Sequence, residues 1–185
     1  DALTLAWFNT ESPKLVLEEL EITSLLQVIV DDAQYEFSQH KVKLIQTNKE
    51  LFIKSAHQAL TAALENIIRN ALFHTPEGKT VTVQLKKEAN NLLIEISDQG
   101  CGVPEAYLEE IFKPFFRIKQ YDQNNQDNER SISSKKSGYG LGLALAKRQI
   151  IALGGSVHAK NLIHKQDSGL LVYIYLPYTE SPIQN

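Results

Sequence analysis

Ser137-Gly138-Tyr139-Gly140-Leu141-Gly142-Leu143 is the stretch that most limits what this chain can fold into. Three glycines at alternate positions run straight into an apolar, helix-forming segment that continues through Ala144-Leu145-Ala146-Lys147. Glycine opens backbone angles closed to other residues and leaves no side chain between backbone and ligand. A helix start exposes unpaired N–H groups and the positive end of its dipole. Together these favour a bound phosphate. A flexible loop before an ordinary amphipathic helix has the same composition, so the rest of the chain must decide. Two familiar phosphate motifs do not fit. A dinucleotide fingerprint needs G-x-G-x-x-G directly after a strand; here the third glycine falls one residue early and a long polar stretch precedes it. A P-loop needs G-x-x-x-x-G-K-[ST]; Gly78-Lys79-Thr80 supplies its tail, but Phe73 stands where the first glycine belongs. Gly78 therefore reads as a turn residue.

The remaining bounds are quickly drawn. A length of 185 residues favours one domain, and a hydrophobic content of 43% can fill a core. The net charge of −3 gives no electrostatic footprint for nucleic acid. No apolar run approaches the ~18 residues of a membrane span, and no signal peptide opens the chain. Cys101 stands alone, which excludes an internal disulfide and fits a reducing compartment. No Cys/His cluster has zinc spacing. The chain has no methionine, so residue 1 does not read as a natural start, and a piece of a longer protein is expected.

Along the chain, residues 1–14 open with Leu3, Leu5, Ala6, Trp7 and Phe8 and reach Ser12-Pro13. They read as the tail of a helix plus a linker, or equally as an arm packed on its own domain. Glu18-Leu20-Ile22 is a short strand candidate, and Thr23 an N-cap for a helix to about Gln39. Val42, Leu44 and Ile45 indicate one strand, and Leu51-Phe52-Ile53 another. Ser55 is read as opening the next helix, to about Phe73, with Leu60, Leu64, Ile67, Ile68 and Ala71 as its buried stripe. Asn66 and Asn70 lie four residues apart on one face beside that stripe. Asparagine is a mediocre helix former. Each carboxamide oxygen is a hard, neutral ligand suited to Mg²⁺, and each NH₂ can donate to phosphate. A pair of solvated or core-bonded amides is the plainer alternative.

Val81, Val83 and Leu85 alternate as a strand, and Leu92, Leu93, Ile94 and Ile96 form its hairpin partner. That partner ends at Asp98-Gln99-Gly100-Cys101-Gly102-Val103-Pro104. An ionised Asp only accepts hydrogen bonds, so it suits an exocyclic amine such as adenine's; a common D-x-G turn is the alternative. Glu105 to Ile111 reads as a short helix. Phe112-Lys113-Pro114-Phe115-Phe116-Arg117 gathers three aromatics around a proline, with two cations that can face phosphates. Residues 118–137 have little to bury and read as an active-site lid or an insertion. Leu143, Leu145, Ala146, Ile150 and Leu153 continue a helix that Gly154-Gly155 ends. Val157 to Leu162 and Leu170 to Leu176 are closing strands, and residues 179–185 read as a disordered tail.

Four motifs thus stand in a fixed order: Asn66-x-x-x-Asn70-Ala71, Asp98-x-Gly100-x-Gly102, Phe112-x-Pro114-Phe115 and Gly138-x-Gly140-x-Gly142. Each is weak alone. The ordered set resembles the N, G1, F and G2 boxes of the catalytic ATP-binding domain of bacterial sensor histidine kinases, over residues 15–178. Ala63 to Leu72 is similar to the envelope-stress sensors among them. The resemblance implies an α/β two-layer sandwich, the Bergerat ATP-binding fold, with a mixed sheet of about five strands and three main helices on one face. It implies ATP and Mg²⁺ as cofactors, with Asn70 on the metal and Asn66 assisting with metal or phosphate. Asp98 would read the adenine amine, and Gly100 and Gly102 would let the base approach the backbone, with Val103 closing the turn. His74 falls where an adenine-stacking aromatic is placed. Lys113 and Arg117 would contact phosphates, and the backbone of Gly138, Tyr139, Gly140, Leu141, Gly142 and Leu143 would cradle them.

The chain also departs from the pattern. Phe73 stands where Lys or Arg is frequent, and Gly169-Leu170 replaces a common Gly-Thr. No histidine is followed by an acidic residue, so the phosphoacceptor is expected on a separate dimerisation domain. The implied partners are that domain and a response regulator, in a homodimeric, inner-membrane sensor whose cytoplasmic part this is. A related ATPase of the mismatch-repair or chaperone type would place Glu, not Asn66, four residues before the metal-binding Asn. A degenerate partner-binding module is the third possibility, supported only by Phe73 and Leu170.

Overall fold

The computed structural model describes residues 15–46, 49–118, 140–163 and 168–178. Leu15 leads into strand β1 (Glu18–Glu21) and helix α1 (Ile22–Glu36). Strands β2 (Lys41–Ile45) and β3 (Phe52–Ser55) follow, then helix α2 (His57–His74). The hairpin β4 (Thr80–Glu88) and β5 (Asn91–Ser97) precedes two 3₁₀ turns, Glu105–Tyr107 and Glu110–Phe112. Helix α3 (Gly142–Ala152) and strands β6 (Ser156–Ile163) and β7 (Ser168–Pro177) close the described chain.

Five strands form one sheet in the order β2-β4-β5-β7-β6, and β1 pairs antiparallel with β3 in a separate ribbon. Only β2 and β4 run parallel; the other pairs are antiparallel, so the sheet is mixed, as expected. The register stacks Leu85, Ile94, Ile174 and Val157 in one transverse row. Val83, Ile96 and Val172 form the next. Strand side chains alternate faces, so one face of the sheet is a continuous apolar surface. That face joins Leu26, Ile29, Leu60, Leu64, Ile67, Ile68, Ala146 and Ile150 of the three helices in a single core. The stripe expected on α2 is buried throughout. Burying one such Leu or Ile side chain contributes about 1.5–3 kcal/mol.

Local expectations differ from the structure at helix starts. Thr23 does not cap α1. Glu21 does, its carboxylate accepting from the Thr23 and Ser24 N–H groups at 2.9 and 2.8 Å and from the Thr23 hydroxyl. The same carboxylate accepts from Leu51 N–H at 3.2 Å, which ties the helix start to the loop before β3. Partial burial works against ionisation, but the hydrogen bonds outweigh it and hold the Glu21 pKa down at about 2. The helix ends at Glu36, earlier than Gln39. Ser55 belongs to β3, and Ala56 caps α2 without a side-chain bond. Glu105 to Ile111 forms two 3₁₀ turns rather than a helix.

Candidate functional site

Helix α2 is apolar along one stripe, and Asn66 and Asn70 flank it, both partly buried. Opposite them, α3 begins at Gly142 after Leu141, a residue that offers no side-chain cap. The first-turn N–H groups of α3 therefore have no side-chain acceptor at the cap. A Cβ at Gly142 would have the Asn66 side chain as its nearest neighbour, with Oδ1 at 3.8 Å. The helix-borne amide and the glycine-to-helix turn are thus adjacent. Leu143 is buried in the core and anchors the first turn. Gly140 adopts φ +73°, and a Cβ there would come within 2.9 Å of the Phe116 carbonyl oxygen. The Gly140 carbonyl accepts from Phe115 N–H at 2.8 Å. The phenylalanine motif and the glycine run are therefore stitched together by backbone contact. Phe115 itself sits at φ 63°, a conformation that bulky residues rarely adopt. Gly138, Tyr139 and residues 119–137 lie outside the described residues, as do residues 1–14 and 179–185.

Asp98 lies at the far end of β5 and is buried. One oxygen, Oδ1, accepts both from Gly100 N–H and from Leu170 N–H, each at 2.9 Å. Burial raises the Asp98 pKa, and the Leu170 and Gly100 donors and the His74 ring pull it back only in part. Surrounding atoms strip water from the His74 imidazole and lower its pKa, while the Asp98 carboxylate opposes that shift without cancelling it. His74 packs edge-on against Phe73, ring centroids 5.3 Å apart. Phe73 is exposed, and Arg69 points elsewhere, to Glu36 of α1 at 2.7 Å.

The glycines of this turn have a local reason to be glycine, separate from any approach by a base. A Cβ at Gly100 would stand 2.5 Å from the His74 carbonyl oxygen, and one at Gly102 2.8 Å from Asn161 Oδ1. Gly102 also needs φ +73°. Val103 is held by Asn161 of β6: its N–H donates to Asn161 Oδ1 at 2.9 Å, and its carbonyl accepts from Asn161 Nδ2 at 2.6 Å. Ser168 Oγ donates to the Gly100 carbonyl at 3.0 Å. A Cβ at Gly169 would meet the Asp98 carbonyl oxygen at 2.0 Å, so no other residue fits there. The Leu170 side chain is in the core, and its backbone is occupied with Asp98 in both directions.

The two cations behave differently from a simple phosphate clamp. Lys113 is exposed and paired with Glu110 at 2.6 Å, and Arg117 is exposed and engaged within the protein. Surface pairs of this kind contribute about 0–1 kcal/mol and exchange readily for a better anion. Lys147 lies over the Phe112 ring at 5.4 Å, on the second turn of α3. Among the described residues, no group of three or more His, Cys, Asp or Glu could hold a metal. A divalent ion here would use the neutral carboxamides with ligand phosphates, which suits Mg²⁺. Sequence reasoning missed Asn161 and Ser168, and marked Gly169-Leu170 only as a departure from Gly-Thr. The available signal was Asn161 inside a strand, where asparagine is depleted.

In family and fold, the chain is similar to known proteins. The profile of the histidine kinase-, DNA gyrase B- and HSP90-like ATPases matches residues 55–180. The chain is 33% identical over 178 residues to the sensor protein PfeS of Pseudomonas aeruginosa, covering 96% of this chain and 36% of that protein. It is 30% identical over 184 residues to the sensor histidine kinase WalK of Bacillus subtilis, covering 97% and 28%. The chain therefore spans about a third of the length of these curated relatives. The fold matches the mycobacterial sensor histidine kinase MprB with a TM-score of 0.73 at 24% identity, covering 88% of this chain and 98% of that one. It also matches full-length ShkA in complex with AMPPNP, TM-score 0.72 at 20% identity, covering 97% and 35%. The chain belongs to the family of histidine kinase-, DNA gyrase B- and HSP90-like ATPases.

Proposed function

We propose that this domain binds Mg·ATP between α2 and the start of α3 and donates the γ-phosphate to a histidine on a separate dimerisation domain. The observation that carries this is the Asn66 carboxamide lying beside the uncapped α3 start at Gly142. Asn70 binds the Mg²⁺ ion and Asn66 assists it. The N–H groups from Gly138 to Leu143 hold the phosphates, with Lys113 and Arg117 turning to them on binding. Asp98 accepts from the adenine amine, with His74 beside it and Gly100 to Val103 forming the wall.

The bound ion would neutralise charge on the phosphates. The chain's own share is positioning and electrostatics, which is most of what phosphoryl transfer needs from a protein. No side chain here is assigned as general base, because the attacking imidazole is on another domain. Transfer is favoured over hydrolysis because Asn66 stands where hydrolysing relatives carry a water-activating Glu. The relatives' names, a sensor protein and a sensor histidine kinase, support a sensor role; on this reading a response regulator lies downstream and a homodimeric receptor surrounds this domain. Among the described residues no helix is long and apolar enough to cross a membrane. The domain bounds follow the same reading: residues 15–178 catalytic, 118–137 a lid over ATP, 1–14 the end of a dimerisation helix and its linker.

Isothermal titration with a non-hydrolysable ATP analogue and Mg²⁺ tests this. Binding by the wild type that Asn70→Ala lowers about a hundredfold is expected, the upper range for one interaction with a charged group. No binding by the wild type, or equal binding by the variant, removes the proposal. Rapid hydrolysis of ATP by the domain alone would favour the ATPase alternative.

A further inference from the structure

We infer that Asn161 is a positioning residue for the base-reading turn, and this rests on the nucleotide reading above. Asn161 sits on β6, opposite Leu170 in the β6–β7 register. Its carboxamide closes a two-bond ring with the Val103 backbone, accepting at 2.9 Å and donating at 2.6 Å. This is the pairing a neighbouring strand would provide, supplied here by one side chain. The amide nitrogen also donates to Glu105 at 3.1 Å, at the entry to the first 3₁₀ turn. Its oxygen stands where only a glycine at position 102 leaves room.

The turn from Asp98 to Glu105 is thereby fixed at successive points by the closing hairpin. Leu170 N–H holds Asp98, Ser168 holds Gly100, and Asn161 holds Val103 and Glu105. Asp98 and Leu170 set the near end of the turn. Asn161 sets the far end, and without it the wall from Gly100 to Val103 loses its fixed distance from the carboxylate. Asn161 touches no base itself; it acts through the backbone of Val103. It selects for the base end of a ligand and is indifferent to the phosphates.

The test compares wild type, Asn161→Ala and the nearly isosteric Asn161→Asp. An Asp accepts from Val103 N–H but cannot donate to its carbonyl, and it faces Glu105 with like charge. Both variants should weaken ATP and adenosine in parallel, by about tenfold, as loss of one or two net hydrogen bonds predicts. The ratio of ATP to adenosine affinity should stay constant, and the Val103 amide should exchange its hydrogen faster. A wild type that binds no ATP overturns the nucleotide reading. Variants that bind adenosine as the wild type does overturn the positioning role, whatever the exchange rate. So do variants that lose ATP but not adenosine, and so does failure of both variants to fold.

Discussion

The two ends of the site are built differently. At the proposed base end, the closing hairpin holds four residues of the turn: Asp98 and Gly100 from β7, Val103 and Glu105 from β6. At the proposed phosphate end, α3 starts without a side-chain cap, beside Asn66. Lys113 is held by a surface pair with Glu110. The first end is organised before a ligand arrives, and the second offers donors for the ligand to organise. Preorganisation lowers the ordering cost of binding. A donor set that waits for phosphate instead makes the geometry depend on which phosphates are present.

The contrast breaks most visibly at Asp98. Asp98→Asn keeps an oxygen for Gly100 and Leu170 but presents an NH₂ or a second orientation to the ligand. It should lower ATP and adenosine affinity together by about a hundredfold, the scale of one hydrogen bond to a charged group left unmade. The fold should survive: the raised pKa means the folded state favours the protonated acid, so ionisation costs stability as pH rises through and above the ordinary value of 3.8. Melting curves at pH 7 should place Asp98→Asn no lower than wild type. Base recognition by the wild type should in turn fade as pH falls through the raised pKa. A variant that unfolds, or one that loses ATP but not adenosine, would reverse the assignment of this end.

Smaller effects sharpen the other end. Asn66→Ala should cost about tenfold in ATP affinity, about one interaction with a charged ligand, and leave adenosine unchanged by titration. Gly142→Ala meets only ordinary contact with Asn66, at 3.8 Å, and gains helix propensity of about 0.5–1 kcal/mol. Its melting temperature should therefore hold or rise while ATP binding weakens; an unchanged ATP affinity would mean that the phosphates do not approach this turn. Away from both ends, Glu21→Gln should cost about 1 kcal/mol of stability at neutral pH and nothing in binding. Glu21 has a depressed pKa, so its contribution is complete above 4.5 and lost as pH falls towards about 2. Urea titrations of the pair should converge over that window.

Much of the frame was readable from spacing alone. The α2 stripe, the alternating strands from Val81 to Ile96 and the end of α3 just before Gly154 all follow from periodicity and glycine geometry. The order of the four motifs also brought Asn66 and Gly142 to the same place. What escaped were side chains whose work is done across the sheet. Glu21 is a poor candidate cap by propensity, and it serves because Leu51 brings a second donor to the same carboxylate. Gly100 and Gly102 were legible as turn residues, but the atoms that forbid a side chain there, His74 O and Asn161 Oδ1, come from elements 26 and 59 positions away in sequence. Local pattern carries no record of such meetings.

Both hydrogen bonds to Asp98 fall on a single oxygen. On the nucleotide reading proposed above, its twin, Oδ2, is the atom left for the purine. An amino group at the six-position of the ring hands it a proton to share; a keto group there would set one lone pair against another. Guanosine triphosphate, alike in every phosphate, should therefore be refused on the strength of one atom.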